Sequence, residues 1–208
     1  TNASCFQPEP IRNQAKQLWI ANTQVNFCAK AYPTVTISHC DAAPLSVLGG
    51  FLRNGFLHRV IREQGGAYGG GADQDSSIAA FKFYSYRDPR LEETLNDFDQ
   101  SIKWLLETEH EVEPLEQAIL GVISGLDKPG SPAGEAKQAF HNMLFGRSPE
   151  QRRKFRQQIL QVTLNDLKRV TLLYLKPELA SVAVITSPSN FEQIGSFVMT
   201  QQFEVTAL

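Results

Sequence analysis

Arg62 and Tyr68 stand on either side of a glycine pair in the run Arg62-Glu63-Gln64-Gly65-Gly66-Ala67-Tyr68-Gly69-Gly70-Gly71. A guanidinium binds a peptide carboxylate or carbonyl through paired N–H donors, and a neutral phenol donates to an oxyanion as it forms. Five glycines in the seven positions from Gly65 to Gly71 free the backbone for close approach to a ligand or to another strand. Taken alone, the glycines favour a hairpin or bulge with tight packing over a ligand site. No nucleophile or metal-binding motif lies nearby in sequence. The run reads as part of an active site whose remainder lies elsewhere.

Other reactive residues build no second site. A phosphate loop would follow a strand and open a helix; this glycine run follows a helical pattern, leads into a strand and has no Gly-Lys-Ser/Thr ending. The four histidines, His39, His58, His110 and His141, lack both the H-E-x-x-H spacing and its inverse. His58 reads as a partly exposed helix residue and His110 as a solvated corner. The three cysteines, Cys5, Cys28 and Cys40, are odd in number and have no C-x-x-C spacing, which argues against a disulfide scaffold or a thiolate metal site. Cys28 reads as a small buried residue. Free thiols fit a reducing compartment, a bacterial cytoplasm or a mitochondrial or plastid matrix. A formal charge of -2 gives no broad attraction to nucleic acid or anionic lipid, and no apolar run is long enough to span a bilayer. The cluster Arg147, Arg152, Arg153, Lys154 and Arg156 reads as a solvated helix face.

The elements that must position Arg62 and Tyr68 follow from periodicity. Leu18, Ile20, Val25, Phe27 and Ala29 alternate with more polar neighbours, and Pro33 ends this extended stretch. Asp41 offers an N-cap to a helix with Leu45, Leu48, Leu52, Phe56 and Val60 on one face, ending at Gly65-Gly66. Arg62 falls in its last turn, where a cation suits the helix dipole. Residues 77–86 read as a strand with Phe81 and Phe83 on one side and Lys82, Tyr84 and Tyr86 on the other. Asp88-Pro89 then opens a helix carrying Leu91, Leu95, Phe98, Ile102 and Leu105. A further helix spans 112–126, with Leu115, Ile119, Val122 and Leu126 inward, and 127–134 is a loop. Ser148 and Gln151 form a capping box, and Thr163 with Asp166 a second cap. A short strand over 180–186 and a helix over 190–199 complete the order. It implies an α+β fold, a mostly antiparallel sheet with helices packed on one face. Residues 1–16 read as an irregular lead-in, either a cut from a longer polypeptide or a mature terminus, and 17–208 as one domain.

From Gln17 onward the chain resembles the insulinase/pitrilysin family of zinc metallopeptidases, in its presequence-protease branch. The resemblance is carried by Thr23-Gln24-Val25-Asn26-Phe27, by Leu57-His58-Arg59-Val60-Ile61-Arg62-Glu63 with the glycine run, by Ser85-Tyr86-Arg87-Asp88-Pro89, and by Leu164-Asn165-Asp166-Leu167. It implies repeated α+β domains arranged as two halves of a clamshell around a chamber. Zinc in such enzymes is held in the first half by an H-x-x-E-H helix and a distal glutamate. This sequence has neither and matches the last domain of the second half. By this resemblance, Arg62, Gly65, Gly66 and Tyr68 contact the peptide substrate. Arg62 would bind its backbone or carboxylate, and Tyr68 would donate to the carbonyl oxygen of the tetrahedral intermediate. The partners implied are the N-terminal zinc-binding half of the same polypeptide and the peptides it cleaves. The alternative is a non-catalytic scaffold or peptide-binding subunit of the same fold; the presence of both Arg62 and Tyr68 favours the enzyme part.

Overall fold

Six strands form one sheet, in the order β3-β4-β2-β5-β1-β6. They are β1 (Lys16–Ile20), β2 (Asn26–Pro33), β3 (Gly69–Asp75), β4 (Ala80–Asp88), β5 (Ser181–Thr186) and β6 (Glu204–Ala207). The computed structural model describes residues 13–128, 131–144 and 148–208. Most of the expected lead-in, with Cys5, and also Pro129, Gly130 and Arg147, lie outside the described residues. β2 pairs antiparallel with β4 and with β5, and β3 pairs antiparallel with β4. β1 runs parallel to β5 and β6, which reach its two edges through the helical crossover that parallel strands need. The sheet is therefore mostly antiparallel, as the sequence implies.

Side chains alternate in burial along β2: Asn26, Cys28, Lys30 and Tyr32 are buried, whereas Phe27 and Ala29 are exposed. Helices cover the first face and leave the second open. The covering helices are α1 (Ala42–Leu52), α2 (Glu92–Glu107), α3 (Val112–Asp127), α5 (Pro149–Leu160) and α6 (Leu164–Tyr174), which meet in one apolar core. Phe83 stacks on Phe98 of α2, and Phe51 of α1 stacks on Trp104. Lys30, almost buried on the covered face, is neutralised by Asp99 of α2 at 2.6 Å.

The first helix departs from its expected register. Past Leu52 it continues as a π-helix over Arg53–Gln64. The wider turn of that geometry carries the core stripe five residues from Leu52 to Leu57 and then four to Ile61, both fully buried. Phe56 and Val60, next in an α-helical stripe, are only partly buried. Other expectations shift for local reasons. Asp88 is not an N-cap: it ends β4, fully buried, and its carboxylate accepts the Arg90 amide at 3.0 Å and the Thr94 hydroxyl at 2.8 Å, so α2 begins only at Glu92. Part of the expected loop over 127–134 belongs to a helix, α4 (Pro132–Leu144), which buries none of its residues. The last helix is split into α7 (Pro188–Gln193) and α8 (Gly195–Gln201).

Candidate functional site

Arg62 is exposed in the last turn of the π-helix and takes no hydrogen bond or ion pair among the described residues. Gly66 closes the helix at φ +77°, a left-handed value that disfavours a Cβ. The Gly66 amide donates to the Arg62 carbonyl and the Ala67 amide to the Ile61 carbonyl, each at 3.1 Å, forming a nested cap. Gly65 is buried because the Arg90 guanidinium occupies the place its Cβ would take. From there Arg90 donates to the Val60 carbonyl at 3.1 Å and to Asp97 at 3.0 Å. Burial pushes the Asp97 carboxyl above its usual range despite the opposing pull of Arg90. The β4–α2 corner that carries Arg90 is itself tied down. Buried Asn26 donates to the Asp88 and Arg90 carbonyls, each at 3.2 Å, and accepts from the Thr186 hydroxyl at 2.6 Å.

Tyr68 leaves this cap 64% exposed, and its hydroxyl takes no hydrogen bond among the described residues. Its amide donates to the Arg87 carbonyl at 3.3 Å. The ring lies 5.8 Å from that of Tyr86, and the Arg87 guanidinium sits 5.4 Å from its centroid. The three glycines that follow open the edge strand β3, which pairs with β4 ahead of the strand expected over 77–86. Each one removes a collision: the Tyr86 ring crosses over Gly69, Ile61 packs on Gly70, and the Arg53 stem lies over Gly71. On the open face, pairing aligns Gly69, Tyr86, Phe27, Ile185 and Trp19 in one row across five strands. Tyr68 therefore stands at the end of an uncovered apolar row.

Arg62, Gly65, Gly66 and Tyr68 thus flank a single rigid cap. The two glycines give it its shape, and the two side chains present unpaired donors to solvent. Tyr86, Arg87 and Arg90 also build the site. The Ser85–Pro89 segment carried the resemblance, but the sequence held no sign that its Tyr and Arg reach back to the glycine run. His110 is another residue that the sequence misplaced. Its Nε2 lies 3.2 and 3.1 Å from the Trp104 and Leu105 carbonyls, so it caps α2.

Among the described residues, His39, Cys40 and Asp41 bring possible metal-ligand atoms within 4.8 Å of one another. Their bonding does not suit a cation. Asp41 already accepts from Arg169 at 2.7 Å and from Tyr174 at 2.8 Å, and His39 Nδ1 accepts the Asp41 amide at 3.1 Å. Both Asp41 oxygens and His39 Nδ1 already hold a donor, and the donor on Asp41 Oδ1 carries positive charge, which opposes a cation beside it.

Residues 16–187 match the family model described as the PreP C-terminal domain. The chain belongs to this family. It is 39% identical over 177 residues to the mitochondrial presequence protease of Yarrowia lipolytica, covering 85% of this chain and 18% of that protein. This PreP C-terminal domain therefore spans less than a fifth of that relative's length. A protease from Helicobacter pylori superposes with a TM-score of 0.70 at 15% identity, covering 88% of this chain and 46% of that one. A peptidase M16 inactive domain from Pseudomonas fluorescens gives a TM-score of 0.67 at 16% identity, covering 89% and 46%. At such identities the likeness is one of fold.

Proposed function

We propose that this chain is the last domain of a clamshell zinc oligopeptidase that degrades unstructured peptides. Residues 17–208 would act as one domain, lending substrate-binding and oxyanion-stabilising groups to a zinc site on another part of the same polypeptide. Membership of the PreP C-terminal domain family supports this, as does the share of the Yarrowia lipolytica relative left uncovered. The His39-Cys40-Asp41 group does not fit zinc, which agrees with a metal held by the zinc-binding half. Cys28 and Cys40 are free thiols, and with the mitochondrial relative they suit a mitochondrial or plastid matrix or a bacterial cytoplasm.

One observation carries the reading: a guanidinium and a phenol, both exposed and both without an internal hydrogen-bond partner among the described residues, border one preorganised cap. Arg62 would bind the peptide backbone or a carboxylate. Tyr68 would donate to the carbonyl oxygen as negative charge develops, without adding charge of its own. Closure of the partner half over the open apolar face would exclude water and strengthen both contacts. Steady-state kinetics of Tyr68→Phe in the full-length enzyme test this. The expected fall in kcat is about a hundred- to a thousandfold with little change in KM. An unchanged kcat overturns the role of Tyr68.

A further inference from the structure

We infer that Arg87 is a positioning residue for Tyr68, held in a strained backbone conformation so that its guanidinium clamps the phenol ring against Tyr86. This inference rests on the role proposed for Tyr68.

Three features converge on Arg87. The pairing of β2 with β4 slips at this point: Asn26 faces Asp88 and Phe27 faces Tyr86, which leaves Arg87 as the extra residue of a bulge. Its φ is +50°, a left-handed value that a bulky side chain adopts at a cost. Its side chain takes no hydrogen bond or ion pair among the described residues; the polar group it serves is the π face of Tyr68, 5.4 Å away. The backbone completes the clamp, because the Arg87 carbonyl accepts the Tyr68 amide at 3.3 Å. The Tyr86 ring, 5.8 Å away and tilted by 54°, is the other group packed on the Tyr68 ring. A mobile tyrosine at the mouth of a strand would sample many rotamers. A ring in contact with both a neighbouring aromatic ring and a cation has its hydroxyl direction set before substrate arrives.

The test uses the full-length enzyme with Arg87→Gly, Arg87→Lys, Tyr68→Phe and the double variant Tyr68→Phe/Arg87→Gly. Glycine relieves the backbone conformation while removing the cation, so Arg87→Gly should unfold at an equal or higher temperature and yet lose about tenfold in kcat, with KM within about twofold. Arg87→Lys keeps a cation over the ring and should retain most of the rate. In the Tyr68→Phe background, Arg87→Gly should cost less than about twofold more, because its effect passes through the hydroxyl that is already gone. The clamp is refuted if Arg87→Gly keeps full kcat, if its loss is undiminished in the Tyr68→Phe background, or if the loss lies in KM. It is refuted equally if rate falls only in step with thermal stability. A slow Tyr68→Phe beside a fully active Arg87→Gly removes the clamp alone. A fully active Tyr68→Phe removes the proposed role of Tyr68 and the clamp with it.

Discussion

Asp41 Oδ1 accepts a 2.7 Å hydrogen bond from the guanidinium of Arg169, 128 residues further along the chain. Its other oxygen accepts from the Tyr174 hydroxyl at 2.8 Å. The side chain caps none of the amides of α1, although it stands at the N-cap position. It joins the start of the helix that leads to Arg62 to the face of α6. Asp41 is buried while Arg169 is half-exposed. Removing the carboxylate loses a charge-assisted bond and the Tyr174 bond and leaves a gap at a helix junction, although Arg169 can turn to water. Asp41→Ala should destabilise this chain by about 2 kcal/mol, as read by urea unfolding. A loss below about 0.5 kcal/mol would show that the junction is held by packing alone.

The same pair makes a pH prediction at both ends of the scale. Burial would raise the Asp41 carboxyl, but the bonds from Arg169 and Tyr174 outweigh it and hold it below the ordinary aspartate range. Stability from the ionised carboxylate is therefore complete above the unfolded value of about 3.9 and drains away as pH falls through the lower folded value. Tyr174 moves the other way, pushed up to about 12 by burial and then by the bond to Asp41. Its contribution is complete below the unfolded value of about 10 and is lost as pH rises toward the folded one. Unfolding free energy measured against pH should fall on both flanks. Asp41→Asn should flatten both slopes, and an unaltered profile would refute the assignment.

The elements most legible in the sequence were those whose stabilising partners are local. The Ser148–Gln151 and Thr163–Asp166 capping boxes form as read, because cap and partner are three residues apart. The alternation of Phe81 and Phe83 with Lys82 and Tyr84 likewise assigned both faces of β4. The π register could not be read from spacing, because Phe56 and Val60 complete an α-helical stripe as well as Leu57 and Ile61 complete the wider one. It is Trp104, far off in α2, that fills the space beside Gly55 where the helix widens. The strand formed by Gly69–Gly71 was equally hidden, since its strand character comes from the neighbours lying across it. At the site, Arg62 and Tyr68 stood out by type and spacing. The clamp around Tyr68 arises from a bulge that no local pattern marks.

Two glycines separate steric need from helix propensity. A Cβ on Gly70 would lie 2.9 Å from both Ile61 Cγ2 and the Tyr84 carbonyl oxygen, and neither the buried side chain nor the strand backbone can retreat freely. Gly70→Ala should cost about 1–3 kcal/mol. Gly121, within α3, has nothing within 4 Å of its added Cβ. Gly121→Ala should stabilise by about 0.5–1 kcal/mol through helix propensity. Thermal midpoints of the two variants should move in opposite directions. A shared direction would refute the packing assigned to β3.

Gly69→Ala separates site geometry from stability. An added Cβ would collide with the hydroxyl end of Tyr86, which belongs to a 40% exposed side chain on the open face. That ring can swing outward at little cost to the fold, so the thermal midpoint should shift by no more than the equivalent of about 1 kcal/mol. The displacement is transmitted all the same, because the Tyr86 ring is the wall against which Tyr68 rests. If Tyr68 has the role proposed for it, Gly69→Ala in the full-length enzyme should lower kcat by about tenfold while leaving KM nearly unchanged, since small misplacements of a donor are costly in rate. The companion Tyr86→Ala, which removes the wall without crowding the strand, should lower kcat to a similar extent. If Gly69→Ala turns over at the normal rate, Tyr68 does not depend on the Tyr86 ring for its placement.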